Sequence, residues 1–349
     1  MIISRRQLLA GLTAVHLLRT LPVHAMAASA QQTLKDGYAR RLKGLLADGA
    51  LPYIDLESSC NSRQVDPAAV AAAMDRLKIG MMALSADPNP QMLAQPELYD
   101  PLAARLVQEF PQHFIPVGNG GQEPATTDQA TPFLAAQQAA AERHDILMFG
   151  EYEFRHYPSP RQVRRGDEDR DSAIALDGPL GHSLFALSEK TGLAFQIHYE
   201  IEDALLPALE QMLARYPKAT VIWCHLAQIR YIERASRYSP AYVNDLLTRF
   251  PNLYFDTAFG SAKSVYPVSG QRQARVWADD GSLKSEWRDV IAAHPSRFVA
   301  ALDLGQDRLD KIDTYNGHLR HFLAELPDGV RQQVAYGNAW RLLFGETFG

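Results

Sequence analysis

The sequence predicts an α/β chain folded as a (β/α)8 TIM barrel. Three observations predict it. Short β-rich runs recur at regular intervals, helix-like segments separate them, and acids and histidines gather at the ends of the runs. Alternating strands and helices imply parallel strands joined by helical crossovers, and eight such units close a barrel. A doubly wound open sheet is the competing architecture. It would carry a Gly-rich phosphate turn after an early strand, but no G-x-G-x-x-G occurs, and Gly118-Asn-Gly-Gly121 lacks the spacing.

Residues 1–30 read as a separate segment. Arg5-Arg6 opens a mildly apolar run interrupted by His16 and Arg19, and small residues close it in Ala-x-Ala patterns at Ala25–Ala27 and Ala28–Ala30. This is the layout of an export signal, and Ser4-Arg5-Arg6-Gln7-Leu8-Leu9 resembles the twin-arginine motif. The run is too short and too interrupted to span a bilayer. The expectation is cleavage among Ala25, Ala27 and Ala30, and a periplasmic or secreted protein with no stable membrane anchor. Residues 31–349 then form one barrel domain with long loops and C-terminal helices.

The composition, 46% hydrophobic and 21% charged, is that of a globular domain able to bury a core without staples. A net charge of -5 gives no sign of a nucleic-acid partner. The cysteines, Cys60 and Cys224, make no disulfide framework and are expected as buried, unpaired thiols.

The eight runs, in order, are Tyr53–Ser58, Gly80–Ser85, Phe114–Gly118, Ile146–Phe154, Ala194–Tyr199, Thr220–His225, Leu253–Thr257 and Phe298–Leu304. Between the first two, "DPAAVAAAMDRLK" offers an Asp cap and a Pro in the first turn. "ELYDPLAARLVQEFP" stops at a Pro, and "TPFLAAQQAAAERH" is rich in Ala. "GHSLFALSEKTG" closes on Gly192. "IEDALLPALEQMLARYP" and "PAYVNDLLTRFP" again stop at Pro.

Barrel chemistry sits at the C-terminal ends of the strands, and the polar residues fall there. Run one ends in Glu57 and Ser59, and run four carries Glu151 with Glu153 and Arg155 at the same parity. Run five ends in His198 with Glu200 beyond, and run six in His225. Run seven carries Asp256, as readily a structural partner as a functional one, and run eight carries Asp303. Buried charges need partners, and one divalent cation can satisfy several carboxylates and imidazoles together. Cys224 has the parity opposite to His225 and is expected to face the helix layer. In the loop after run four, Arg161, Arg164, Arg165 and Arg170 are read as locally neutralised by nearby acids. Arg155 and His156 lie nearest the strand end and are taken as substrate contacts.

The pieces "YIDLESS", "FGEYEFRHYPSP", "FQIHYE", "VIWCHLA", "FVAALDLG" and "VAYGNAWRLLF" together resemble the amidohydrolase superfamily, in its family-2 branch of metal-dependent barrel hydrolases. The resemblance runs from about Tyr53 to Phe344. It implies a divalent metal, Zn, Mn or Fe, at His198, His225 and Asp303, with Asp303 also taking a proton from water. Glu151 matches a bridging carboxylate, and Glu200 would steady a ligand ring, with Ser59 and Glu153 beside the ligands. The departure is at strand one. The family pattern is Asp-x-His-x-His, and here Glu57 and Ser59 stand in both histidine positions. The polar side of this run, Asp55, Glu57 and Ser59, would point into the barrel mouth, and Ile54 and Leu56 would pack on the helices.

Two readings stay open. In one, Glu57 is an oxygen ligand, and the chain hydrolyses an ester, lactone or amide of a small molecule. In the other, loss of the histidine pair leaves a binding module or a metal-free enzyme. Beside the hydrolase, a decarboxylase of the same family is the runner-up enzyme. Homo-oligomerisation is left open.

Overall fold

The computed structural model describes residues 23–61, 63–87, 100–123, 126–129, 132–167, 170–305 and 309–349. Arg5 and Arg6 lie outside them. Its strands are β1 (Tyr53–Cys60), β2 (Ile79–Ala86), β3 (Glu151–His156), β4 (Ser172–Ala173), β5 (Phe195–Tyr199), β6 (Val221–Trp223), β7 (Leu253–Asp256) and β8 (Phe298–Val299). β1 pairs with β2, and β3, β5, β6, β7 and β8 follow one another in parallel, with β4 antiparallel on the edge of β3.

The ring closes through backbone that is not regular strand. The third expected run is a stave held by single bridges, Met82 to Phe114 and Val117 to Met148. Pro116 at its centre has no N–H to give to a ladder, and only its carbonyl is used, by Leu147 N at 2.8 Å. The fourth run becomes strand only from Glu151 onward. At Gly150 the staves come so close that a Cβ would lie 2.7 Å from the Asn119 carbonyl. After Val299 the chain leaves the strand but still closes on β1, with Leu56 N on Ala300 O at 3.2 Å and Asp303 N on Glu57 O at 2.9 Å.

Packing is in two layers. One apolar cluster joins the outward side chains of the strands, such as Phe195, Trp223 and Phe255, to the surrounding helices. A second draws Ile54, Leu56, Met81, Ala83, Ile115, Val117, Ile222 and Val299 into the barrel interior. This corrects the expected facing of Ile54 and Leu56. The physical reason is a bulge in β1. Asp55 lies opposite Met82 and Ser58 opposite Leu84, so Leu56 and Glu57 together face the one residue between. The extra residue turns both inward and leaves Asp55 level with outward Met82.

The barrel bottom is closed by the first and last described helices. In the helix Val23–Ala47, Tyr38 Oη donates to Phe114 O at 2.6 Å, and Arg41 donates to Ile79 O at 2.9 Å and Gly80 O at 2.7 Å. The C-terminal helix Asn338–Phe344 is pinned by Asn338, whose amide donates to Pro295 O at 2.7 Å and Phe298 O at 2.8 Å. Among the described residues no helix is long and apolar enough to cross a membrane. Cys60 and Cys224 are free and buried.

Candidate functional site

A cavity of about 780 Å³ opens at the C-terminal end of the barrel, lined among others by Ser59, Glu151, Glu153, His156, His198, His225 and Asp303. Each functional side chain arrives there for a local reason. Glu151 and Glu153 alternate inward on β3, while Tyr152 and Phe154 point into the helix layer. His198 alternates inward between outward Ile197 and Tyr199 on β5. His225 lies just past β6 with φ 64, and Asp303 follows β8 with φ 52. Left-handed backbone at residues other than glycine costs about 1–3 kcal/mol each and collects at working sites.

The two imidazoles are held from behind. His198 Nε2 faces Glu200 Oε1 at 3.2 Å, and His225 Nδ1 faces Ala258 O at 2.9 Å. Both partners are acceptors, so those ring nitrogens carry the protons, a tautomer assigned from the partners. The near nitrogens, His198 Nδ1 and His225 Nε2, then face each other at 3.1 Å and face Glu151 Oε1 at 3.0 and 3.4 Å. Burial opposes charge on His198, but its hydrogen bonds to Glu151 and Glu200 raise it to about 10. Burial pushes the Glu151 carboxyl up, and its bonds to the two histidines outweigh this and hold it well below the usual carboxylate range. A proton thus holds together a place where two imidazoles and a carboxylate converge.

Glu57 enters the same mouth from the bulge. Burial and the nearby Asp303, Glu151 and Asp256 push its carboxyl well above the usual range. Among the described residues, two groups could hold a cation: Glu151, His198 and His225; and Glu57, His225 and Asp256. The five ligand residues expected from the sequence therefore fall into overlapping sets. His225 belongs to both groups, Asp303 lines the cavity outside either, and Asp256 is added.

The other expected residues divide. Glu200 holds His198, and its own carboxylate is paired with the buried Arg230, Nε to Oε1 at 3.0 Å. Glu153 accepts from Arg170 at 2.5 Å. His156 is buried in the cavity wall, its ring 4.6 Å from that of His198. Burial and the charges of His198, Arg230 and Arg170 keep it well below its usual range. Arg155 is not brought to the cavity. A bulge between Glu153 and Arg155 sets it level with outward Tyr199, where it pairs with Glu202 and Asp171 and lies 3.8 Å over the Tyr157 ring. Cys224 reverses its expected facing. It lies against Asp256, and burial together with Asp256, Glu151 and Glu57 raises its thiol well above the ordinary value. The left-handed turn at His225 lets two consecutive side chains reach the same interior. Sequence reasoning missed Arg230 and left Asp256 undecided. For Asp256 the signal was its place at the end of a barrel strand. For Arg230, in a loop, there was none.

The family model for amidohydrolases matches residues 67–345, and the chain belongs to this family. The family is typically metal-dependent, and its hydrolase-type chemistry agrees with the group Glu151, His198 and His225. Among solved structures, the chain is similar to a 4-oxalomesaconate hydratase from Rhodopseudomonas palustris at 11% identity, with a TM-score of 0.52 over 83% of this chain and 95% of that one. It is also similar to a probable 2-pyrone-4,6-dicarboxylic acid hydrolase from Acinetobacter baumannii, with citric acid bound, at 12% identity, TM-score 0.51, over 84% and 99%. A 2,6-dihydroxybenzoate decarboxylase from Rhizobium aligns at 13% identity and TM-score 0.46, over 84% and 98%. At these identities the likeness to the hydratase and the dicarboxylic acid hydrolase shows the fold alone. No curated protein matches the sequence.

Proposed function

We propose that the chain is a metal-dependent hydrolase acting on an ester, lactone or amide bond of a small molecule. One observation carries this reading. His198 and His225 each spend the far ring nitrogen on an acceptor and turn the near one toward a common point shared with Glu151. That donor set fits a divalent cation such as Zn²⁺, Mn²⁺ or Fe²⁺. Glu57 and Asp303 stand alongside as further oxygen donors.

Held by these residues, such an ion would supply Lewis-acid polarisation of a substrate carbonyl and would make water more acidic. The chain's residues supply the rest. Asp303, on the cavity wall, accepts a proton from water as general base. Glu200, anchored by Arg230, fixes the His198 ring. Glu153 and Ser59 line the same wall, and His156, kept neutral by its surroundings, offers a neutral ring to a substrate. The cavity is of a size that takes a small organic molecule.

A metal-free binding module is the second reading. The ion-pair chain Arg230–Glu200–His198–Glu151 favours it, because it is already satisfied by protons. Hydrolysis of a panel of carbonyl substrates separates the two readings. For the hydrolase, a chelator abolishes turnover, Zn²⁺ or Mn²⁺ restores it, and His198→Ala lowers kcat/KM by about 100-fold or more. Turnover that survives chelation, or ligand retained without turnover, sinks the metal-hydrolase reading.

A further inference from the structure

Glu57 and Asp256 each keep a buried carboxylate oxygen, Oε2 and Oδ2, without a hydrogen-bond partner. Glu57 is 4% exposed and Asp256 is not exposed at all. The rest of Asp256 is occupied. Its Oδ1 accepts from His225 N at 2.7 Å and from Ala258 N at 3.0 Å. The Cys224 thiol also lies against this carboxylate, but a thiol is only a weak donor and does little to offset a buried charge. An ionised carboxylate buried without a partner is costly. Two within reach of each other are costlier, since they repel in a medium that screens poorly. Ligand atoms of Glu57, His225 and Asp256 all lie within 4.8 Å of one another.

We infer that Asp256 is a metal ligand of this chain, closing with Glu57 and His225 the strand-one side of the barrel mouth. The inference rests on the metal reading above and adds to it a carboxylate that holds the ion from β7. The geometry argues for a ligand over a structural acid. A structural acid at this position needs only the oxygen that caps the turn into His225 and Ala258, and that is Oδ1. No backbone donor of this turn reaches Oδ2, which is buried without a hydrogen-bond partner. Two carboxylates beside an imidazole form a hard, oxygen-rich seat, which suits Mn²⁺ better than a thiolate or all-imidazole seat would.

The test uses the full-length protein stripped with a chelator. Wild type, Asp256→Asn and His198→Ala are titrated with Mn²⁺ and Zn²⁺ by calorimetry, and Tm is read stripped and loaded. Asparagine keeps Oδ1 for the two backbone donors and replaces only Oδ2. The expected result is Mn²⁺ binding weakened by about tenfold or more in Asp256→Asn, with a stripped Tm equal to or above that of wild type. Opposite effects on the stripped and the loaded protein do not come from a structural role. Wild-type affinity in Asp256→Asn, with binding lost in His198→Ala, overturns the inference and leaves the metal reading standing. Weaker binding with a matching fall in stripped Tm also overturns it. If wild type binds neither ion, the metal reading itself fails, and this inference with it.

Discussion

Asp55 is a carboxyl with no solvent exposure, and its surroundings decide its proton. Burial raises it to about 7, against hydrogen bonds from the Ser58 hydroxyl and the Leu302 and Glu57 amides that pull it down. The folded protein therefore binds this proton more tightly than the unfolded chain. The stability from Asp55 is fully present below about pH 4 and is lost as pH rises through about 7, on the order of 4 kcal/mol in all. Asp55→Asn keeps the two amide bonds and removes the titration. In metal-stripped protein, its Tm should fall less than that of wild type between pH 5 and pH 8. Equal slopes would show that Asp55 does not titrate in this range. At this scale the sequence was a good guide wherever simple alternation holds, as at Glu151, Glu153, His198 and Glu200. It failed at Arg155 and Cys224, because a bulge and a left-handed residue change parity without leaving a mark in the residue types.

At the level of elements, both bulges act on the site. The one in β1 brings Glu57 inward beside Leu56, and the one in β3 sends Arg155 out and leaves His156 at the mouth. The helices were legible from their ends. Asp66 caps the helix Pro67–Leu77 as expected, accepting from Ala68 N and Ala69 N. Gly192 stops the helix Pro179–Thr191 in a left-handed turn. The third and fourth staves were legible as β-rich runs, but the sequence did not reveal how little of them is regular ladder. There the backbones meet closely, and Gly150 is the residue that permits it. Gly150→Ala should destabilise by about 1–3 kcal/mol in urea unfolding, because its Cβ would press on the carbonyls of Gly118 and Asn119 rather than on a side chain able to move. Unchanged stability would mean that these staves can part at no cost.

For the whole molecule, the barrel was readable because eight β-rich runs separated by helices admit few other closures. Most of the ligand-type residues could be read because a barrel presents its strand ends at one rim. What could not be read is what crosses between loops, and Arg230 is the main case. It donates to Tyr157 O at 2.5 Å and Pro158 O at 2.8 Å, pairs with Glu200, and lies 5.2 Å over the Tyr266 ring. One guanidinium thus binds the segments after β3, β5 and β7 to one another. These contacts exist only once the ring has closed, so they act on the way out of the native state rather than on the way in. Arg230→Met should speed unfolding several-fold and leave refolding nearly unchanged, so that a chevron shifts only in its unfolding arm. A slowed refolding arm would instead place this pin among the first contacts to form. On the expected outcome, Arg230 sets how long the mouth stays assembled once it has formed.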